Sequence, residues 1–159
     1  VVGADDVLSN LLAPVGPFGA ICPNEADLAD ISKAASVADA IGEMDIGQGA
    51  IVCRGLVLAV EAQEGTDLML QRCAALPAEL RGAVDSRAGV LVKRPKPMQE
   101  RRIDLPTIGV QTVQRAADAG LAGIAVTGGG ALVLDRNAVV AKADQLGLWL
   151  YGIPPSDSA

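Results

Sequence analysis

Residues 88–106 read AGVLVKRPKPMQERRIDLP and gather Lys93, Arg94, Lys96, Arg101 and Arg102 behind a short apolar run, Val90-Leu91-Val92. Five of the thirteen basic residues thus fall within ten positions of a chain whose net charge is -6. Cations clustered at one strand exit of an acidic protein suit an anion. Pro95 and Pro97 remove two backbone donors and fix φ, so the segment leaves its strand as a stiffened loop. Asp104 follows between Ile103 and Leu105. A carboxylate beside such a cluster is what a site shared by a phosphate and a divalent metal requires. A solvated loop in which Asp104 pairs with Arg101 or Arg102 uses the same residues, and the residues alone do not choose.

The second stretch is EAQEGTD, residues 61–67, with three carboxylates, Glu61, Glu64 and Asp67, at the end of an aliphatic run. α/β folds place their ligands at the carboxyl ends of strands. Carboxylates at this density can hold Mg²⁺ and orient a water towards phosphorus. Thr66 or Asp67 begins the following helix, where free amides and the dipole favour an anion. An ordinary acidic strand-to-helix loop is the competing reading. Gly128-Gly129-Gly130 lacks both the lysine and the following helix of a P-loop, so it reads as a turn. Cys73 lies among Leu70, Ala74 and Leu76 as a structural thiol, with no histidine in the chain to activate it.

Composition narrows the chemistry. The 159 residues are 50% hydrophobic and 20% charged, the proportions of one globular domain. One Trp, one Tyr and one Phe leave an aliphatic core and no platform for stacked bases, and the pI is near 4.5. Nucleic acid is therefore not an expected partner. With no His and no paired Cys, a metal should be a hard ion held by carboxylates, Mg²⁺ first among them. Cys22, Cys53 and Cys73 are widely spaced, which fits reduced thiols in the cytoplasm. No apolar run reaches the ~18 residues of a membrane span. Val1-Val2-Gly3 is neither a signal peptide nor an initiating Met, so the chain is expected to be a fragment or a mature form.

The elements that must position these residues alternate between helix and strand. A short helix is expected at 5–12, then breakers. Asn24 caps a second helix, with Asp27 three positions on in a capping-box arrangement, and Leu28, Ile31, Ala35, Ala38 and Ile41 form its apolar stripe. Residues 50–53 and 56–60 form a hairpin around Arg54-Gly55. A helix over 68–76 stops at Pro77, a strand covers 90–92, and a helix over 110–119 stops at Gly120. Residues 124–126 and 131–134 are expected to form a second hairpin around the three glycines, before a helix at 136–146 and a strand at 148–153. The order helix, hairpin, helix, strand then occurs twice, a weak sign of duplication. The expected fold class is a single α/β domain: one mixed sheet with helices on both faces, an α/β sandwich.

Four linked stretches, GLVLAVEAQEGTDLML, GVLVKRPKPMQERRIDLP, IGVQTVQRAADAGLAGIAV and GLWLYGI, resemble the UDP-2,3-diacylglucosamine pyrophosphatases of lipid A biosynthesis. The likeness is to the branch unrelated to calcineurin-like metallophosphatases, and it covers nearly the whole chain. It implies Mg²⁺-dependent attack of water on a lipid-linked sugar nucleotide, giving UMP and 2,3-diacylglucosamine 1-phosphate. It implies a two-domain protein whose N-terminal domain is missing here. Residues 1–22 would then be a linker and short helix, 23–153 the catalytic C-terminal domain, and 154–159 a polar tail. Under the resemblance Asp104 is the catalytic residue. The chemistry of the residues themselves adds Asp67 as a second catalytic candidate, Lys93, Lys96, Arg102, Thr66 and Gly65 to hold phosphate or substrate, and Asp104, Glu64 and Asp67 to hold the metal. A cytoplasmic protein with peripheral contact to the inner membrane fits a lipid substrate, and a homodimer is compatible with it. The rivals are a non-catalytic sugar-nucleotide or phosphate-binding regulatory domain and a phosphotransferase.

Overall fold

The computed structural model describes residues 10–96 and 105–155. In chain order the elements are β1 (Gly16–Pro17), α1 (Glu25–Glu43), β2 (Gly49–Cys53), β3 (Leu56–Val60), α2 (Thr66–Ala74) and β4 (Val90–Lys93). They continue with β5 (Thr107–Ile108), α3 (Val110–Asp118), β6 (Gly123–Thr127), β7 (Leu132–Val133), α4 (Arg136–Leu146) and β8 (Trp149–Ile153). Six strands form a mixed sheet in the order β1-β8-β6-β4-β2-β3. β4, β6 and β8 are parallel, β2 runs against β4, and β3 and β1 close the edges antiparallel.

Alternation along the strands makes two cores. Ala50, Val52, Val90, Val92, Ala125 and Trp149 face α1 through Ile31 and Ala34. Ile51, Leu91, Ile124, Val126 and Leu150 face the other way, against Met69 and Leu70 of α2, Val113 of α3 and Val139 of α4. The fold is the expected α/β sandwich, with, among the described residues, α1 on one face and α2, α3 and α4 on the other.

Local chemistry sets several boundaries. Asn24 Oδ1 accepts from the Asp27 amide at 2.8 Å and Asp27 returns the bond to the Asn24 amide at 3.0 Å, a complete capping box. In the β2–β3 turn Arg54 and Gly55 both have positive φ, 51° and 81°, as the twist of a two-residue hairpin requires. Buried Asp30 of α1 holds that turn by accepting from both amides, at 3.0 and 2.9 Å.

The second hairpin does not form. Both edges of β6 are taken by parallel partners, β4 and β8, so no edge remains for β7. β7 pairs instead with β5 in a separate two-stranded parallel sheet, which the sequence reading did not contain. The proposed duplication falls with the hairpin. Gly128-Gly129-Gly130 remains a turn, and all three amides are spent inside the protein, on the carbonyls of Ile153, Ala13 and Thr127. Cys73 is buried and its thiol is pushed up to about 11, by desolvation first, which keeps it an inert packing group. Among the described residues no helix is long and apolar enough to cross a membrane.

Candidate active site

Because β3 and β4 run in the same direction on either side of β2, their carboxyl ends reach the same edge of the sheet. The acidic loop leaves β3 and the basic loop leaves β4 at that edge. Alternation decides which side chains meet. Ala59 lies on the three-helix face, so Glu61, two residues on, is carried there too. Leu91 lies on the same face, and Lys93 follows it.

Both groups are buried, each only 7% exposed. Glu61 accepts from the Gln48 amide at 3.0 Å through one carboxylate oxygen and from the Thr66 hydroxyl through the other. Gly47 makes room for it: a Cβ there would lie 2.1 Å from the Glu61 carbonyl oxygen. Lys93 donates to the Thr107 carbonyl at 3.4 Å, a long contact for an ammonium with three hydrogens. Desolvation holds the Lys93 pKa below its ordinary value, and the charges of Glu61 and then Asp67 oppose that shift.

Beside these groups lies a cleft of about 410 Å³. Glu64, Gly65, Thr66 and Asp67 line one wall, Thr107, Gly109, Gln111 and Thr112 the other, and Leu134 adds an apolar side. Gly65 precedes α2 with φ 88° and Gly109 precedes α3, neither with a side chain to cap the first turn. Two helix starts without an N-cap side chain therefore flank the cleft, the second with Thr112 accepting from the Gly109 amide at 3.1 Å, and Lys93 lies behind the Thr107 wall. The helix starts favour an anion, but among the described residues the lining itself carries the carboxylates of Glu64 and Asp67 and no Lys or Arg, so a phosphate there needs a cation to offset them.

The other residues of the sequence reading are distributed less simply. Asp67 is half exposed, with Arg115 Nε 4.0 Å away. Glu64 is held in a two-pronged ion pair with Arg72, whose guanidinium also donates to the Val60 carbonyl. Lys96 pairs with Asp45 at 2.9 Å, and Arg94 pairs with Asp39 at 2.7 Å. The basic loop thus divides at its root: Lys93 enters the core behind the cleft, while Arg94 and Lys96 meet the C-terminal half of α1 and the turn after it. Asp104 and Arg102 lie outside the described residues. Among those described, no three Cys, Asp or Glu side chains are grouped to hold a metal ion. Asp67 offers the cleft a carboxylate, which fits an ion such as Mg²⁺ that is usually held by one or two carboxylates plus substrate phosphates. Glu64 would first have to release Arg72.

Glu61 and Thr107 are the residues that motif reasoning undervalued. Glu61 was one carboxylate among three, yet the alternation that buries Ala59 points to it.

A slightly larger cleft, about 420 Å³, lies at the opposite edge of the sheet, between α1, the 54–55 turn and Arg87. Apart from the exposed Arg54 guanidinium, its charged side chains are committed to the fold. Asp30 holds the turn, Lys33 donates to the Gly55 carbonyl, and Asp27 accepts from the Trp149 indole at 3.1 Å. Arg87 clamps the carbonyls of Leu146 and Ala117 at 3.1 and 3.0 Å.

Residues 14–151 match the model of the LpxI C-terminal domain. The chain belongs to the LpxI C-terminal domain family. It is 56% identical over 157 residues, 99% of its length, to a protein of Caulobacter vibrioides named UDP-2,3-diacylglucosamine pyrophosphatase LpxI. It spans 56% of that relative's length. The resemblance drawn from the four sequence stretches is thereby shown, and both loops at the cleft fall within the matched LpxI domain.

Proposed function

We propose that this chain is the catalytic C-terminal part of a UDP-2,3-diacylglucosamine pyrophosphatase. It would hydrolyse the pyrophosphate bond to UMP and 2,3-diacylglucosamine 1-phosphate in lipid A biosynthesis, with a preceding domain completing the substrate cleft. The observation that carries this reading is the 56% identity, sustained across nearly the whole chain, to an enzyme of that name.

The chain's own groups suit the reaction. A diphosphate needs its charge offset at a site shielded from water, and Lys93 brings a cation whose desolvation is already in place before substrate arrives. The free amides at the starts of α2 and α3 add fixed donors that cost no reorganisation. Asp67 stands at the mouth of the cleft to orient water or to ligate Mg²⁺, and Asp104 is the catalytic carboxylate implied by the family motif. Mg²⁺, when bound, would supply Lewis acidity at phosphorus. Lys96 and Arg102 would add cations to the cleft, Lys96 only by leaving Asp45.

The test is UMP release from the diacylated UDP-sugar by the two-domain protein, with and without Mg²⁺. Release that depends on Mg²⁺ supports the reading. Tight substrate binding with no release would leave a binding domain, and capture of the phosphoryl group by added alcohol would make it a transferase.

A further inference from the structure

We propose that Glu61 is a positioning residue that fixes the polarity of the Thr66 hydroxyl, so that Thr66 faces the cleft as a hydrogen-bond acceptor. A threonine hydroxyl has one hydrogen to give, and a carboxylate can only accept. The Thr66 hydroxyl gives its hydrogen to Glu61, whose other oxygen is occupied by the Gln48 amide. Glu61 is 7% exposed, and the two hydrogen bonds it accepts hold its carboxylate in this orientation. Thr66 lines the cleft, and with its hydrogen spent on Glu61 its hydroxyl has only oxygen lone pairs left to offer there. It therefore does not donate to a phosphate oxygen, as a side chain at a helix start ordinarily would. The backbone amides of the same turn take the phosphate, and the hydroxyl receives an O–H group. That group is either a hydroxyl of the sugar nucleotide or the attacking water.

Glu61→Gln tests this with little change of shape. The Gln oxygen keeps the bond from the Gln48 amide, and its NH₂ group now donates to Thr66, which turns the threonine hydrogen into the cleft. In the two-domain protein we expect Glu61→Gln and Thr66→Val each to lower kcat/KM by about 10- to 100-fold, the loss of one charge-assisted hydrogen bond. The double variant should be no worse than either single one, because Glu61 acts through Thr66. Thr66→Ser keeps the hydroxyl and should stay within about 3-fold of the parent. A loss carried by KM identifies a substrate hydroxyl as the donor, and a loss carried by kcat identifies the water. Losses that multiply in the double variant, or unimpaired turnover by Glu61→Gln or Thr66→Val, overturn the proposal. Should Glu61→Gln fail to fold, Glu61→Asp takes its place: it keeps the charge but withdraws the carboxylate from Thr66, and an unimpaired Glu61→Asp beside an impaired Thr66→Val overturns the role of Glu61. The inference rests on the hydrolytic reading of the cleft. A parent protein that releases no UMP removes that reading, whereas an active parent with indifferent variants removes only the role of Glu61.

Discussion

Lys93 carries the electrostatic argument, and its pH behaviour follows from its burial. Desolvation disfavours its charged form, so its folded pKa lies below the unfolded 10.5. Between those two values the unfolded chain binds the proton that the folded chain has lost, so stability rises with pH through that window. Below it the buried charge is a constant cost. Lys93→Met should therefore melt higher than the parent at pH 7, and the gap should narrow as pH approaches 10, measured by thermal unfolding at the two values. A gap that widens with pH would show that Lys93 is held in place by a stronger partner than Thr107 provides. The sequence made Lys93 visible as a member of a cationic run. It did not reveal that Lys93 alone of its neighbours turns inwards while Arg94 and Lys96 find Asp39 and Asp45, since those carboxylates lie more than fifty positions away.

Elements fixed by local chemistry were legible before any coordinates. The Asn24 cap, the Arg54-Gly55 turn and the Gly147 stop each depend on residues within a few positions of one another. β6 and β7 were misjudged as a hairpin because strand pairing is not local, and two aliphatic runs around glycines carry no mark of which edges are already filled. β5, two residues long, and β1, a two-residue edge containing a proline, lack the length that reveals a strand. The seat of Glu61 is an element-scale feature with its own test. Gly47→Ala would put a methyl 2.1 Å from the Glu61 carbonyl oxygen, backbone against backbone. Overpacking of this kind costs roughly 1–3 kcal/mol, so denaturant unfolding should show a loss of that size. Gly16→Ala, where no atom lies within 4 Å, should cost only the strain of its φ of 88°. A loss at Gly47 well below about 1 kcal/mol would mean that its approach to Glu61 is not tight.

At the scale of the whole molecule the sheet separates two clefts of nearly equal volume, one at each edge. Their size does not distinguish them; the state of their polar groups does. At the α1 edge Asp27, Asp30, Lys33 and Arg87 are occupied in holding the fold together. At the other edge Lys93 has a single long hydrogen bond among the described residues, two helix starts lack an N-cap side chain, and half-exposed Asp67 has only Arg115 at 4.0 Å. The central claim, that chemistry takes place at the β3–β4 exits, is tested most directly by UMP release from four variants of the two-domain protein at saturating Mg²⁺. Lys93→Met and Asp67→Asn should each lose at least ~10-fold in kcat/KM, about the worth of one charge-assisted hydrogen bond. Lys33→Ala and Arg54→Ala, at the opposite edge, should stay within about 2-fold of the parent. Turnover that survives the first pair and collapses in the second would place the reaction at the wrong edge for this account.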